Sequence, residues 1–419
     1  MGSEWREVRL GELADEITVG HVGPMPTYVD DGIPFLRSQN VDRLRINDSD
    51  LKTIDSVSHD RLRKSTLHPG DVVIVRTGRP GACAVIPPSL PVANCSDLVI
   101  VRCGRALDPW FLAYYINSAA VHGVSSQVVG AVQQHFNIGS ARSLAIRLPD
   151  LATQRDVVEI LRALDDKIEL NRRMSQTLES MAHALFKSWF VDFDPVRGKS
   201  LGRGPGLSAS LADMFPSELR DSEVGPVPAG WSISTIDEEL TAVLGGTPAR
   251  AEPRNWVGGT IPWINSGKVN EFRIVEPSEF ITEAGLAASS TKMLPAGTTV
   301  VAITGATLGQ VSRLEIDACA NQSIVGVLAS DKIPDDFVYP WIKHNIDSLV
   351  ARQTGAAQQH VNRNDVGTLG LLIPTQNVLA AYVRHVGPIF DRVGATCLES
   401  IALTETRDAR LVQLMQPGG

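Results

Sequence analysis

The chain has no run of 18 apolar residues, no CxxC pair and no excess of positive charge. Each absence narrows what it can be. Without such a run, no segment is long enough to cross a bilayer as a helix. Residues 1–13, MGSEWREVRLGEL, carry charge from residue 4 onward and lack an apolar core, so no secretory signal is expected there. Arg6 stands where N-myristoylation needs Ser or Thr. The five cysteines (Cys83, Cys95, Cys103, Cys319, Cys397) are an odd number without metal-site spacing. They fit reduced thiols in a cytoplasmic protein better than a disulfide framework or a zinc site. Lys and Arg number 39 against 47 Asp and Glu, a net charge of −8. That balance argues mildly against partners held by bulk positive charge, such as nucleic acid or an anionic membrane.

Catalytic motifs are missing as well. No (D/N)PP(Y/F) motif stands beside a Gly-rich cofactor loop, because Asp194-Pro195 is followed by Val196. No GxGxxG follows a strand, and Gly198-Lys199-Ser200 lacks the upstream Gly of a phosphate-binding loop. Pro149-Asp150 with Asp165-Asp166-Lys167 formally satisfies a PD…DxK nuclease pattern. The second half falls on a helical stretch, where these residues are expected to face solvent. No catalytic residue and no metal site is therefore expected.

What is present is a duplication. At 419 residues, 43% of them hydrophobic and 21% charged, the chain is ordinary globular material with room for several domains. A search for self-similarity finds the chain written twice at an offset of about 226 residues. GIPFLRSQNV (32–41) matches TIPWINSGKV (260–269), and LHPGDVVIVRTG (67–78) matches LPAGTTVVAITG (294–305). NCSDLVIV (94–101) matches NQSIVGVL (321–328), and GAVQQHFN (130–137) matches GAAQQHVN (355–362). In each copy, short β-branched runs bounded by Gly, Pro and Asn predict strands. Residues 109–118 and 336–346 predict helices, the second disturbed by Pro340. Each copy reads as an α+β domain.

After each copy the texture changes. Residues 151–190 contain no Gly and no Pro. Val157, Leu161, Leu164, Ile168, Asn171, Leu178 and Leu185 follow a 4-3 alternation that predicts a long amphipathic helix with a coiled-coil seam. Asn171 is a polar residue in that seam, a position able to fix register. At 1.5 Å per residue, such a helix spans about 60 Å. Residues 375–419 repeat the pattern less well, with Val386, Phe390 and Val393 in the seam. Gly387-Pro388 is expected to bend or break this helix and shorten it. Two unpartnered amphipathic helices are best satisfied by each other, as an antiparallel coiled coil. The expected organisation is thus a domain over 1–150, a long helix over 151–194, a Gly/Pro-rich linker over 195–229, a second domain over 230–374 and a second helix over 375–419.

Residues 161–196, LRALDDKIELNRRMSQTLESMAHALFKSWFVDFDPV, closely resemble the central region of the specificity subunit of type I restriction-modification systems. The order of recognition domain, helix, recognition domain, helix is also similar to that family's. The resemblance implies a non-catalytic subunit in which two α/β target recognition domains read a bipartite, asymmetric stretch of double-stranded DNA. It implies that the helices dock two modification (methyltransferase) subunits, joined by a motor-nuclease restriction subunit. S-adenosylmethionine, ATP and Mg would then act in those partners, and no cofactor is expected here. The alternative is a protein-binding scaffold or decoy that assembles such subunits without reading DNA.

Base reading needs Arg or Lys for guanine, Asn or Gln for adenine, and Ser or Thr as adaptable partners; phosphates need Lys and Arg. Copy one concentrates these in Arg37, Ser38, Gln39, Asn40, Arg43 and Arg45, then Arg61, Arg63 and Lys64, then Arg76, Thr77 and Arg79, then Gln133, Gln134, His135 and Asn137. Copy two offers Asn265, Ser266, Lys268, Asn270 and Arg273, then Thr304, then Gln358, Gln359, His360, Asn362 and Arg363, with Arg250, Arg254 and Asn255 besides. A basic loop is more often simply solvated. The repeated QQH fits a phosphate contact or a shared structural element better than base reading, since different half-sites need different readers. Thr77-Gly78 and Thr304-Gly305 read as turns. The charge is uneven. Residues 1–150 carry fifteen Lys and Arg against sixteen Asp and Glu, while 231–374 carry ten against fifteen. DNA contact should therefore depend on local patches, and the isolated chain should bind DNA weakly.

Overall fold

The computed structural model describes residues 5–48, 50–126, 136–202, 207–223, 225–352 and 361–415. The chain divides into two compact units, one of Met1–Ile168 with Ala402–Gly419, the other of Glu169–Ile401.

In unit 1 a four-stranded antiparallel sheet runs Cys83–Val85, Val72–Val75, Leu98–Cys103, Ala14–Val19. Its two central strands are apolar without alternation because both of their faces are covered. Val72, Ile74, Val99 and Val101 pack with Phe111, Leu112 and Tyr115 of the helix Pro109–Ser126. Val73, Val75, Leu98 and Ile100 pack with Leu36, Leu67 and Cys95 on the other side. Those partners belong to a second sheet in which Ile33–Leu36 runs parallel to Ala93–Cys95. Arg6–Arg9 pairs antiparallel with Ala145–Leu148 and ties the start of the body to its end.

Unit 2 repeats this plan. Its four-stranded sheet runs Thr241–Leu244, Ile324–Leu328, Thr299–Ala302, Val311–Arg313. Ile261–Ile264 runs parallel to Cys319–Ala320, and Ser232–Thr235 closes against Gly370–Ile373. The duplication seen in the sequence is therefore a duplication of topology. One pairing shifts. Ser96 and Asn321 each donate their N–H to the carbonyl of the matched strand, from Leu36 and Ile264 respectively. Gly20 and Gly245 likewise bond Leu98 and Ile324. Between these anchors unit 1 has one residue, Asp97, and unit 2 has two, Gln322 and Ser323, so Asn94 is not the counterpart of Asn321. The Thr-Gly corners are turns in both copies: Gly78 and Gly305 have φ of +79° and +70°, a region that side chains disfavour.

Two 40-residue helices, Leu151–Phe190 and Gln376–Met415, follow the bodies in sequence. The first starts at Asp150, whose carboxylate accepts from Thr153 N–H at 2.8 Å. It ends ahead of Phe193, which is left-handed at φ 56°. The second corrects the expectation at Gly387-Pro388. Pro388 lies inside a continuous helix as long as the first. Likewise the helix Asp335–Arg352 runs through Pro340. Proline removes one backbone bond, and the buried side chains around each site outweigh that loss: Val386 and Phe390 for the first, Phe337, Val338 and Tyr339 for the second.

Within unit 1, Val157, Val158 and Leu161 of the first helix share a core with Leu411 and Met415 of the second. There Arg407 Nη1 donates to Asp165 Oδ1 at 2.8 Å. Within unit 2, Asn171 Nδ2 donates to Glu399 Oε2 at 2.9 Å, and Phe186, Trp189 and Phe190 pack on Tyr382. In each unit, lower numbers on one helix meet higher numbers on the other, so the segments run antiparallel. Of the expected seam, Val157, Leu161, Asn171, Val386, Phe390 and Val393 are buried, and Leu164, Ile168, Leu178 and Leu185 are half-buried. Asp165 is not the solvent-facing residue expected. Besides Arg407 it accepts the Tyr114 hydroxyl. Described residues of the 195–229 stretch make local and core contacts. Leu219–Arg220 pairs with Val227–Pro228, and Phe215 and Val227 enter the core of unit 2.

Candidate nucleic-acid interface

Three loops of unit 1 meet at an open cleft of about 440 Å³. They bring together Arg37, Ser38 and Gln39 from the end of strand Ile33–Leu36, Thr77 to Arg79 from the corner after Val72–Val75, and Ser96 and Asp97. Met25 adds an apolar wall. Two of the expected clusters thus converge, and carboxylates organise them. Arg37 Nη2 donates to Asp50 O at 2.6 Å and to Asp50 Oδ2 at 3.0 Å. Gln39 Nε2 reaches the same carboxylate at 3.1 Å, and Lys52 Nζ lies 2.5 Å from its other oxygen. Hydrogen bonds from Lys52 and Arg37 hold the Asp50 carboxyl down at about 2.

Asp97 binds Arg76 at 3.0 Å and accepts the Thr77 hydroxyl. Ser38 Oγ donates to its carbonyl at 3.4 Å. Next to the cleft, Asp42 takes Arg79 at 2.9 Å and Arg45 at 3.0 Å. Partial burial works against ionisation of Asp42, and the bonds from Arg79 and Arg45 overcome it, leaving its pKa below the usual value. Arg43 is exposed in the same short hairpin, Val41–Asp42 with Arg45–Ile46.

Other expected residues are not brought there. Asn40 is fully buried; its Oδ1 accepts from Arg37 N–H and its Nδ2 donates to Asn47 O, so it shapes the loop. Arg61, Arg63 and Lys64 are exposed on the helix Ser56–Arg61 and the turn after it, away from the cleft lining. Gln133, Gln134, His135, Gln358, Gln359 and His360 lie outside the described residues. Asn137 and Asn362 cap the short helices that follow them, accepting from Ser140 and Asp365 N–H. Recurrence of this Asn in both copies marks a structural cap.

In unit 2 the equivalent loops are nearly neutral. Asn265, the counterpart of Arg37, turns its Oδ1 back to Gly267 N at 2.9 Å. Ile303 and Ala306 replace Arg76 and Arg79. Ser266 is half-buried, Lys268 pairs with Glu271 at 2.8 Å, and Asn270 is exposed. Thr304 is half-buried at the corner. Arg363 is held by Asp237 at 2.7 Å, and Arg254 is exposed beside Glu252. Asn255 is buried. Arg250 stacks 3.7 Å from the Trp256 ring centroid and forks onto Glu279 at 2.6 and 2.8 Å.

Arg273 corrects the expectation of a DNA contact. Its side chain has no exposure. It hydrogen-bonds Glu179 of the first long helix at 2.5 Å and the Tyr339 hydroxyl at 3.0 Å, and forms an ion pair with Glu315 at 3.2 Å. Its place is structural, anchoring that helix to the body. The acids Asp42, Asp50 and Asp97 were missed from the sequence, because a carboxylate counts against DNA binding until its arginine partner is known.

Among the described residues, no helix is long and apolar enough to cross a membrane, and no cluster of three or more His, Cys, Asp or Glu could hold a metal. The family model described as the type I restriction modification DNA specificity domain matches residues 2–180 and 228–383. The type I restriction enzyme HindI specificity subunit of Haemophilus influenzae is 28% identical over 319 residues, 66% of this chain and 69% of that protein. The MjaIX specificity subunit of Methanocaldococcus jannaschii is 23% identical over 278 residues, 65% of this chain and 60% of that one. Among solved structures, a type I system S subunit from M. genitalium matches with a TM-score of 0.58 at 13% identity, covering 100% of this chain and 97% of that one, so the fold is shared. The chain belongs to the type I restriction-modification DNA specificity family, whose role is recognition of a DNA target.

Proposed function

We propose that this chain is the specificity subunit of a type I restriction-modification complex. It reads a bipartite, asymmetric sequence through its two recognition bodies, and it docks two modification subunits on its long helices. A motor-nuclease subunit completes the complex. Methyl transfer and cleavage belong to those partners, and this chain only recognises and assembles. The observation that carries the reading is one recognition plan built twice with different side chains at equivalent loops. Arg37, Arg76 and Arg79 in one copy stand against Asn265, Ile303 and Ala306 in the other. Identical readers would call for a symmetric target, and these call for an asymmetric one. Most loop cations are paired with acids, so phosphate neutralisation falls largely to the partners.

Methylation mapping tests this. DNA from cells carrying the three subunit genes should show N6-methyladenine at one split, asymmetric motif that disappears when this gene is deleted. An identical methylation pattern with and without the gene refutes it. A scaffold that does not read DNA predicts instead that the assembled complex binds all duplexes of one length equally in a shift assay.

A further inference from the structure

We propose that Arg37, held in place by Asp50, sets a requirement for guanine in the half-site read by unit 1. This rests on the DNA-reading function above and assigns it a determinant.

A phosphate-gripping arginine has no use for a carboxylate beside it. Here the Asp50 carboxylate bonds Arg37 directly, and a second carboxylate, Asp97, lines the cleft with Arg37. The edge of a G·C pair in the major groove has the opposite character. Guanine presents two acceptors, O6 and N7, to a guanidinium fork, and the paired cytosine presents an N4–H donor to a carboxylate. An arginine beside an aspartate matches that edge group for group.

The fork is also fixed beforehand. Asp50 takes the Nη2 end through its carbonyl and its carboxylate. Gln39 and Lys52 hold that carboxylate in turn. Nε is buried without a partner and Nη1 has no hydrogen-bond partner among the described residues, so in this cleft-lining side chain Nη1 is the end of the guanidinium left for a base. Ordering the side chain in advance lowers the cost of binding. In unit 2 this chemistry is gone. Asn265 occupies the position and spends its oxygen on Gly267 N–H. The guanine requirement is therefore confined to one half of the motif. Asp50 is a positioning residue, acting through Arg37.

The test is methylation mapping in cells that express the complete complex, with wild-type chain, Arg37→Gln, Arg37→Lys or Asp50→Asn. The wild type should show a guanine position in one half of its motif at which Arg37→Gln lowers the preference roughly tenfold to a hundredfold, with the other half unchanged. Arg37→Lys keeps the charge but loses the fork, so it should relax the same position. Asp50→Asn should relax it less, at that position only. A purified complex should lose the same preference on a duplex carrying 7-deazaguanine there, which lacks the N7 acceptor. The inference is overturned if Arg37→Lys reads as wild type, if the relaxed position is an A·T pair, or if all motif positions weaken equally. If Arg37→Gln fails to assemble, the Lys and Asn variants decide by the same criteria. A wild-type chain with no split motif refutes the function itself, whereas a wild-type motif with unaltered variants refutes only the assignment of Arg37.

Discussion

Replacing Arg273 with Ala isolates what joins the first long helix to the body of unit 2. In the native chain the guanidinium is fully enclosed and meets Glu179, Glu315 and Tyr339. The side chains of Glu179 and Glu315 are only 14% and 13% exposed. Removing the arginine takes from both carboxylates their most buried partner and leaves Glu179 with Lys343 at 3.3 Å and Glu315 with Arg313 at 3.5 Å. Breaking a buried ion pair from one side costs about 3–5 kcal/mol. For a unit of this size each kcal/mol moves the midpoint by about 2–4 °C, so the unfolding transition of unit 2 should fall by roughly 6–20 °C.

The loss should also depend on pH. Burial opposes ionisation of Glu179, and Arg273 overcomes it, so the carboxyl sits below its usual value. A depressed acid contributes stability above its unfolded pKa and loses it as pH falls through the folded one. The variant lacks that contribution and gains a buried acid that prefers its proton. The gap between variant and wild type should therefore be widest near neutrality and shrink below about pH 5. Calorimetry of the full-length chain at pH 7 and pH 4.5 measures both effects. A midpoint within 2 °C of wild type at pH 7, or an equal drop at both pH values, would refute this account of the network.

Asp336 predicts the opposite pH trend in the same unit. Burial raises its carboxyl to about 6, helped by Asp335 and opposed by Arg313 at 3.6 Å. A raised acid contributes stability while protonated and loses it as pH rises from the unfolded value toward 6. Asp336→Asn should thus raise the urea midpoint at pH 7, by an equivalent of about 1–3 kcal/mol, and flatten the decline between pH 4 and 6. In the helix pair, Asn171 is fully buried and its Oδ1 has no hydrogen-bond partner among the described residues. Asn171→Leu removes that orphan and leaves Glu399 at an exposed position, so thermal stability should rise by about 1 kcal/mol; a loss would show that the amide is better satisfied than its geometry indicates.

The fold was largely legible because its signals are local or repeated. The β-branched runs at 72–75, 98–101 and 299–302 are strands, and the 4-3 spacing from Val157 to Leu185 is a helix. Gly387-Pro388 misled because local propensity sees a missing backbone bond and not the buried Val386 and Phe390 on either side. The site was half legible. Arg37, Gln39 and Arg79 were picked out by residue type and do share a cleft. Arg273 and Asn40 were picked out by the same criterion and are buried. Residue type cannot separate an arginine at a surface from one enclosed by two glutamates.

By itself, the sequence determined the duplication, the two long helices and the family, all of which follow from order, periodicity and a motif along one dimension. Tertiary structure decided which charges are free to act. Asp50, Asp97 and Glu179 lie 13, 21 and 94 residues from the arginines they hold. Electrostatic energy depends on distance and burial in space, and neither is written in the spacing along the chain.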